Sequence, residues 1–264
     1  MRRIGSHTEG RVVHSCADAY GPMEVVDEAT VRSLHFGSAA RQSTMFIHDH
    51  DALALVYTRC MMTCLLFSAE PRSAMLLGLG GGSLPKFLRR HFRNCQVDVV
   101  EMRPLVVDLA RQYFLLAEHP RTNIQIMAAE TFLADAAPAS YDLALVDIHD
   151  ADGMAKAVGE DGFFAACRDR LRGRGILVIN LFSGDRDGFY QRVTKNLEEA
   201  FQDRVLYLPV ARKRNCIAFA FRQELSAGLV QSLPRRAADL GSRFGIEFPD
   251  LLRELIKANA GLSK

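Results

Sequence analysis

Between residues 74 and 201, short apolar segments alternate with segments whose apolar residues recur at helical spacing. Apolar segments such as "LALVD" and "GILVINL" lack the polar alternation of half-exposed strands, which is typical of strands buried on both faces. The predicted strands are 74–79, 96–101, 123–127, 141–147 and 174–181, and the predicted helices are 84–92, 104–116, 130–135, 161–171 and 187–201. The alternation predicts an α/β domain built on a mostly parallel sheet.

The flanking segments follow other patterns. Within residues 11–50, the runs "MEVVD", "TVRSLHF" and "TMFIHD" indicate a small appendage of β-hairpins, and residues 52–67 have helical periodicity. Residues 204–209 and 215–221 predict an antiparallel edge hairpin, and the chain from 225 onward is again helical in pattern. We expect a β-hairpin region (1–52), a nucleoside-binding domain (53–224) and a C-terminal helical extension (225–264).

Composition excludes several classes of protein. The net charge of +2, from 33 basic and 31 acidic residues, gives no reason to expect a nucleic acid as partner. No stretch reaches the ~18 apolar residues of a membrane span, and the six cysteines show no CxxC spacing. His48 and His50 share a strand face without a third ligand. We expect a cytoplasmic protein that binds no membrane and no metal.

The segment "MLLGLGGGSLPKFL" places Gly80, Gly81 and Gly82 between the first predicted parallel strand and its helix. Glycines there let the backbone approach a ligand closely, and the helix N-terminus adds free N–H donors and partial positive charge. Ligands of open α/β sheets bind at the carboxyl ends of the strands. The alternative is a tight packing turn, which three adjacent glycines make less attractive than a single one would.

Glu101 ends the strand "QVDVVE", where its carboxylate can accept hydrogen bonds from both ribose hydroxyls of a nucleoside. Strands often end in an acid, so the prediction depends on the glycine loop nearby. Both NAD and S-adenosyl compounds fit these two features. Because Gly78, Gly80 and Ser83 fill the GxGxxG positions imperfectly, the sequence favours an S-adenosyl compound over NAD.

Two carboxylates follow the next strand of the predicted site, in "YDLALVDIHDADGM". Asp147 ends that strand and Asp150 lies three residues later. Paired carboxylates can bind a cationic amine and take its proton as the amine becomes a nucleophile. The alternative, a loop of solvated acids, suits Asp152 better than Asp147.

With these motifs, residues from about 34 to 221 resemble the spermidine synthase (polyamine aminopropyltransferase) family. The resemblance implies a Rossmann-like class I methyltransferase fold with a mostly parallel seven-stranded sheet and a small N-terminal β domain. It also implies a general base at Asp147 and an amine ligand at Asp150, the acids of the family's D-x-x-D motif. The other implied positions are the ribose acid Glu101, the glycine loop Gly80–Gly82, the channel tyrosine Tyr57 and the nucleoside-bordering Gln42.

The chain also departs from the family pattern. Ser83 stands where the family has an acid that holds the amine of the donor's aminopropyl arm, and a hydroxyl cannot neutralise an ammonium. Ala128 or Ala129 replaces the acid that reads the adenine amino group. Glu130 is a candidate substitute, although charge at a helix N-terminus also explains it.

A further departure follows the channel tyrosine, where Thr58 and Arg59 replace a histidine or glutamine and an acid. Arg59 would repel a polyamine unless it points away from the channel.

Three hypotheses follow from the sequence. The first is an aminopropyltransferase that moves an aminopropyl group from decarboxylated S-adenosylmethionine to a diamine such as putrescine or to another amine. The second is a methyltransferase that uses S-adenosylmethionine, because an intact donor gains nothing from an acid at position 83. The third is a catalytically inactive nucleoside-binding homologue. The family resemblance further implies a homodimer.

Overall fold

The computed structural model describes residues 10–149, 153–184 and 188–263, and it contains two β-sheets. The strands are β1 Arg11–Asp18, β2 Gly21–Glu28, β3 Val31–Phe36, β4 Arg41–Phe46, β5 Ser73–Leu77, β6 Gln96–Glu101, β7 Thr122–Ile126, β8 Tyr141–Val146, β9 Leu171–Phe182, β10 Val205–Pro209 and β11 Asn215–Phe221. The helices are α1 Val56–Met61, α2 Ser83–His91, α3 Pro104–Tyr113, α4 Ala129–Asp135, α5 Phe163–Arg170, α6 Phe189–Phe201, α7 Ala227–Phe244 and α8 Phe248–Ala258.

The larger sheet has seven strands in the order β10-β11-β9-β8-β5-β6-β7. Strand β5 is parallel to both β6 and β8, and β11 runs antiparallel between β9 and β10. Helices cover both faces, so β5 is buried along its whole length and β8 at all residues but Asp142, as the unalternated apolar runs predict. The strand order reverses direction between β5 and β8, which opens a crevice at their carboxyl ends. The predicted fold class is confirmed.

The smaller sheet is an antiparallel meander of four strands, in the order β1-β2-β3-β4. The sequence predicts β2, β3 and β4 but misses β1, whose "RVVHSCAD" mixes polar and apolar residues and leaves most side chains at least partly exposed. Arg103, only 7% exposed, fixes this sheet to the loop after β6. Its guanidinium pairs with Asp18 at 2.8 Å and lies 4.6 Å from the centre of the Phe36 ring.

The predicted helix over residues 52–67 is shorter and is divided in the structure. Helix α1 is followed directly by a 3-10 helix over Met62–Leu66. All five residues of the 3-10 helix are buried, and four of them, all except Thr63, belong to the main hydrophobic core. Because the segment has no exposed face, its backbone follows the space between the packed elements and departs from regular helical periodicity.

Helices α7 and α8 cover the other end of the large sheet, where the edge strand β10 meets α8. The Asn259 side chain pairs with this edge, because its Oδ1 accepts the Tyr207 N–H at 2.9 Å and its Nδ2 donates to the Tyr207 carbonyl at 2.8 Å. Its Nδ2 also donates to the Leu255 carbonyl at 2.6 Å. One amide thus ends α8 and satisfies two backbone groups of an exposed sheet edge. Among the described helices, none is both long and apolar enough to cross a bilayer.

We predict that Asn259→Ala lowers the free energy of unfolding by about 1–3 kcal/mol, because the Tyr207 backbone groups and the Leu255 carbonyl lose their partner. Urea unfolding monitored by circular dichroism measures the change. Lys257→Ala, at a mainly exposed position of the same helix, is the matched control and should stay within about 0.5 kcal/mol of wild type. Equal stabilities of the two variants would contradict the role of Asn259.

Candidate active site

The glycine loop connects β5 to α2 through three residues with left-handed backbones. Gly78, Gly80 and Gly82 have φ angles of +95°, +53° and +75°, which L side chains rarely adopt. At Gly78 the loop lies directly against β8, because a Cβ there would collide with the carbonyl oxygen of Asp147. The loop therefore passes across the ends of both strands at the crevice.

The structure also shows what lies against the other glycines. A Cβ at Gly81 would be 2.8 Å from both the Phe114 ring and Ser43 Oγ, and one at Gly82 would be 3.0 Å from Leu116. Close packing against the protein itself therefore accounts for these two glycines. The approach of a ligand to this loop stays a prediction.

Glu101 lies beside the loop at the end of β6. Its Oε2 accepts the Leu79 N–H at 3.0 Å and its Oε1 accepts the Arg103 N–H at 2.9 Å, which fixes the carboxylate toward the crevice. Burial raises the pKa of Glu101, and these backbone hydrogen bonds oppose part of that shift.

Two apolar side chains beside Glu101 were missed by the sequence reasoning. Met102 is 45% exposed, and Ile126, the register partner of Glu101 on β7, is 51% exposed. Exposed apolar side chains at the ends of adjacent strands provide a surface for a flat, apolar ring next to a hydrogen-bonding acid. The signal in the sequence was an apolar residue directly after the strand-ending acid.

Asp147 receives three hydrogen-bond donors from separate segments of the chain. Tyr57 Oη donates to Oδ2 at 3.0 Å, Asn180 Nδ2 donates to Oδ1 at 2.9 Å, and His149 Nδ1 lies 3.3 Å from Oδ1. Burial by itself raises the pKa of Asp147, but the hydrogen bonds from these donors and the charge interaction with His149 outweigh burial and hold the pKa below its usual value. The crevice therefore contains a partly buried carboxylate that is ionised at neutral pH.

The donors from β9 and β11 were also missed. Asn215 Nδ2 donates to Asn180 Oδ1 at 2.9 Å, which turns the Asn180 amide so that its NH2 group faces Asp147. The available signal was Asn180 itself, a polar residue inside "GILVINLF" that is 4% exposed. A buried polar side chain needs a partner, and here the partner is the site carboxylate.

The remaining predicted residues lie at different distances from this centre. The Tyr57 hydroxyl, which faces Asp147, is also 3.3 Å from the backbone carbonyl of Gln42, and burial together with the nearby carboxylate raises the pKa of Tyr57. Ser83 Oγ donates to the Thr44 carbonyl at 3.4 Å. Glu130 is exposed in the first turn of α4. Asp150 lies outside the described residues.

Arg59 does not face Asp147. Its Nε donates to the Glu247 carboxylate at 3.0 Å, and its Nη1 donates to the carbonyls of Leu53 and Ala54 at 3.1 and 3.2 Å. The guanidinium thus joins α1 to the turn between α7 and α8. The sequence predicts that Arg59 would repel a polyamine unless it points away from the channel. In the structure its guanidinium is turned to Glu247 and is neutralised there.

No cluster of three or more potential metal-ligating side chains occurs within residues 10–149, 153–184 and 188–263.

We predict that Gly78→Ala destabilises the fold by at least about 2 kcal/mol, because the new methyl group meets the Asp147 carbonyl and the φ of +95° is strained for alanine. Thermal unfolding of the purified variants measures the effect. Gly228→Ala, at a helical position of α7 with no atom near the new methyl group, is the control and should be neutral or slightly stabilising. A Gly78→Ala variant as stable as Gly228→Ala would contradict the close approach of loop and strand.

Comparisons with known proteins identify relatives of this chain. The sequence model of the spermine/spermidine synthase domain matches residues 54–208. A polyamine aminopropyltransferase from Chromobacterium violaceum is 33% identical over 253 residues, which are 96% of each chain. The structure of a probable spermidine synthase from Corynebacterium glutamicum superposes with a TM-score of 0.71 at 18% identity, over 86% of this chain and 87% of that one.

A second group of relatives shares part of the chain. The human eEF1A lysine and N-terminal methyltransferase is 29% identical over 142 residues, which are 50% of this chain and 20% of that protein. The likeness to this group covers a smaller share of both sequences than the match to the aminopropyltransferase does. The chain belongs to the spermine/spermidine synthase family.

Proposed function

We propose that this protein is an aminopropyltransferase that moves an aminopropyl group from decarboxylated S-adenosylmethionine to a diamine such as putrescine. The observation that carries the proposal is the partly buried, ionised Asp147 at the carboxyl end of β8, held by three donors beside the glycine loop. Family membership and the name of the Chromobacterium violaceum relative support the same activity.

The donor's nucleoside fits the β5–β6 side of the crevice. The fixed carboxylate of Glu101 can accept both ribose hydroxyls, and the exposed Met102 and Ile126 offer an apolar surface to the adenine. Because Gly80 has no side chain, the backbone of the loop can lie close to the adenosyl group. We assign Glu130, at the start of α4, to the adenine edge as part of this proposal.

The acceptor amine fits the β8 side. In the proposed reaction Asp147 takes a proton from the ammonium, and the freed nitrogen lone pair attacks the propyl carbon next to the sulfonium. A C–N bond forms, the C–S bond breaks, and its electron pair neutralises the sulfur of the departing methylthioadenosine. The hydroxyl of Tyr57 orients Asp147 and borders the acceptor, and Asp150 is proposed as a ligand of the amine.

We predict that Asp147→Asn lowers kcat for putrescine about 100- to 10,000-fold, because the amide cannot accept the proton. Steady-state assays that quantify methylthioadenosine measure the change. Asp108→Asn, the same chemical change at an exposed position of α3, is the control and should retain wild-type activity. Unchanged turnover in Asp147→Asn would remove Asp147 as the base.

Nucleoside binding should depend on pH through Glu101. Because its pKa is raised above the ordinary 4.5, acidification protonates the carboxylate and removes a ribose acceptor at a higher pH than for an exposed glutamate. We predict that affinity for methylthioadenosine falls by up to about tenfold per pH unit below that pKa. Calorimetric titration across pH 4 to 7 measures it.

The matched variant for this prediction is Glu101→Gln, which should bind more weakly and lose the pH dependence. Protonation of Glu101 does not destabilise the free protein, because a raised pKa means that the folded state binds the proton more tightly than the unfolded state. Loss of affinity that parallels unfolding would therefore argue against Glu101 as the titrating group.

Methyl transfer from S-adenosylmethionine is the second candidate. The partial likeness to a lysine and N-terminal methyltransferase favours it, as does Ser83, whose hydroxyl is engaged with the Thr44 carbonyl and offers no charge to an aminopropyl ammonium. The two reactions leave different products. Adenosylhomocysteine among the products would support methyl transfer, and methylthioadenosine would support aminopropyl transfer.

The organisation and setting of the enzyme belong to the same proposal. We propose a β-hairpin region (1–52), a catalytic domain (53–224) and a helical extension (225–264) that together act as a homodimer in the cytoplasm. The six cysteines are free thiols, which suits a reducing compartment, and dimerisation rests on the family resemblance.

A further inference from the structure

Arg103 is a buried, charged side chain that the proposed reaction leaves without a role. It lies directly before α3 and two residues after Glu101, and its side chain is 8% exposed. A guanidinium stays protonated in proteins, so burying it is costly unless partners neutralise it and satisfy its N–H groups. The identity of those partners shows what the residue holds together.

The partners of the Arg103 guanidinium all belong to the N-terminal sheet. Its Nε donates to Asp18 Oδ2 at 3.0 Å and its Nη2 donates to Asp18 Oδ1 at 2.8 Å. Nη2 also donates to the Gly21 carbonyl at 3.3 Å, and the rings of Phe36 and Tyr20 are centred 4.6 and 5.6 Å from the guanidinium carbon. A pair that uses both carboxylate oxygens fixes the direction of the guanidinium as well as its distance.

The backbone of the same residue holds the ribose acid. The Arg103 N–H donates to Glu101 Oε1 at 2.9 Å, while the Leu79 N–H from the glycine loop donates to Oε2 at 3.0 Å. Burial raises the pKa of Glu101, whereas these two hydrogen bonds and the positive charge of Arg103 lower it. The charge that acts on Glu101 is therefore the one that Asp18 anchors.

We propose that Arg103 is a positioning residue for donor binding: the N-terminal sheet holds its guanidinium, and its backbone N–H in turn holds the Glu101 carboxylate toward the ribose. The inference rests on the proposed function and gives the N-terminal sheet a part in nucleoside recognition. Arg103 acts on the nucleoside through Glu101, both by fixing the carboxylate and by keeping it ionised.

Two substitutions separate the anchor from the charge. Arg103→Lys keeps the positive charge but lacks the planar fork that pairs with both oxygens of Asp18. Arg103→Gln removes the fork and the charge together. Calorimetric titration of the full chain with methylthioadenosine, repeated from pH 4.5 to 7.5, measures the affinity and its pH dependence without any turnover.

At pH 7.5 we expect both variants to bind methylthioadenosine about 3- to 30-fold more weakly than wild type, because the Glu101 carboxylate is less firmly held. Losing the positive charge raises the pKa of Glu101, so in Arg103→Gln the decline on acidification should begin about 0.5 to 1 pH unit higher. Arg103→Lys should keep the wild-type pH dependence. A loss of packing alone would weaken binding in both variants without this difference in pH dependence.

The control is Arg111→Gln, the same change at an exposed position of α3, which should match wild type in affinity and pH dependence. Wild-type affinity in Arg103→Gln, or equal pH dependence in the two Arg103 variants, would overturn the inference. Thermal unfolding shows whether the variants are folded. If the Arg103 variants are not, Asp18→Asn loosens the anchor from the partly exposed side and should weaken binding at least about threefold. Wild-type affinity in Asp18→Asn would then overturn the inference.

Turnover of decarboxylated S-adenosylmethionine and putrescine is measured separately. A protein that binds methylthioadenosine in the way that depends on Arg103, but releases none from the donor, would refute the proposed function and support the inference. Turnover by wild type together with wild-type methylthioadenosine affinity in Arg103→Gln would support the proposed function and overturn the inference.

Discussion

The site depends on the close approach between the glycine loop and the end of β8. The Gly78 N–H donates to the Val100 carbonyl of β6 at 2.9 Å, and the Asp147 N–H donates to the Leu77 carbonyl of β5 at 2.8 Å. These bonds continue the parallel ladders past the last regular residue of each strand, so the loop is fixed to both neighbours. Only a residue without a Cβ can occupy the crossing at position 78. This crossing fixes the loop between Glu101 at the end of β6 and Asp147 at the end of β8.

Hydrogen-bond donors around Asp147 explain why this partly buried carboxylate remains ionised. Burial disfavours the charge of Asp147, and the fold compensates with donors from α1, from β9 and from the segment after β8. Asn180 is itself oriented by Asn215 on β11, so four segments of the chain combine to hold one charge. A cation that binds there receives a preorganised partner and does not have to reorient the protein.

The fold and the acids were predictable from local sequence, whereas most of the groups that orient the acids, Tyr57 apart, were not. Buried parallel strands have a distinct composition. The direction of the chain alone then places an acid that ends such a strand, as Asp147 does, at the carboxyl edge of the sheet. The contacts of Asn180 and Asn215 depend on the register between β9 and β11, which no local pattern encodes. The orientation of Arg59 depends on Glu247, far along the chain. Strand β1 and the 3-10 helix were missed because tertiary packing outweighs weak local signals there.

The departures from the family pattern can be interpreted from their partners in the structure. Arg59 is neutralised by Glu247, and the Ser83 hydroxyl is engaged with the Thr44 carbonyl, so each departure is satisfied within the protein. At Asp147, in contrast, the structure concentrates polar groups, and His149 keeps one nitrogen unengaged among the described residues. The proposed function therefore assigns recognition of a cationic amine to the β8 side of the crevice. Because Ser83 on the donor side carries no charge, the proposed function leaves the Asp147 carboxylate as the charge that would attract the acceptor ammonium.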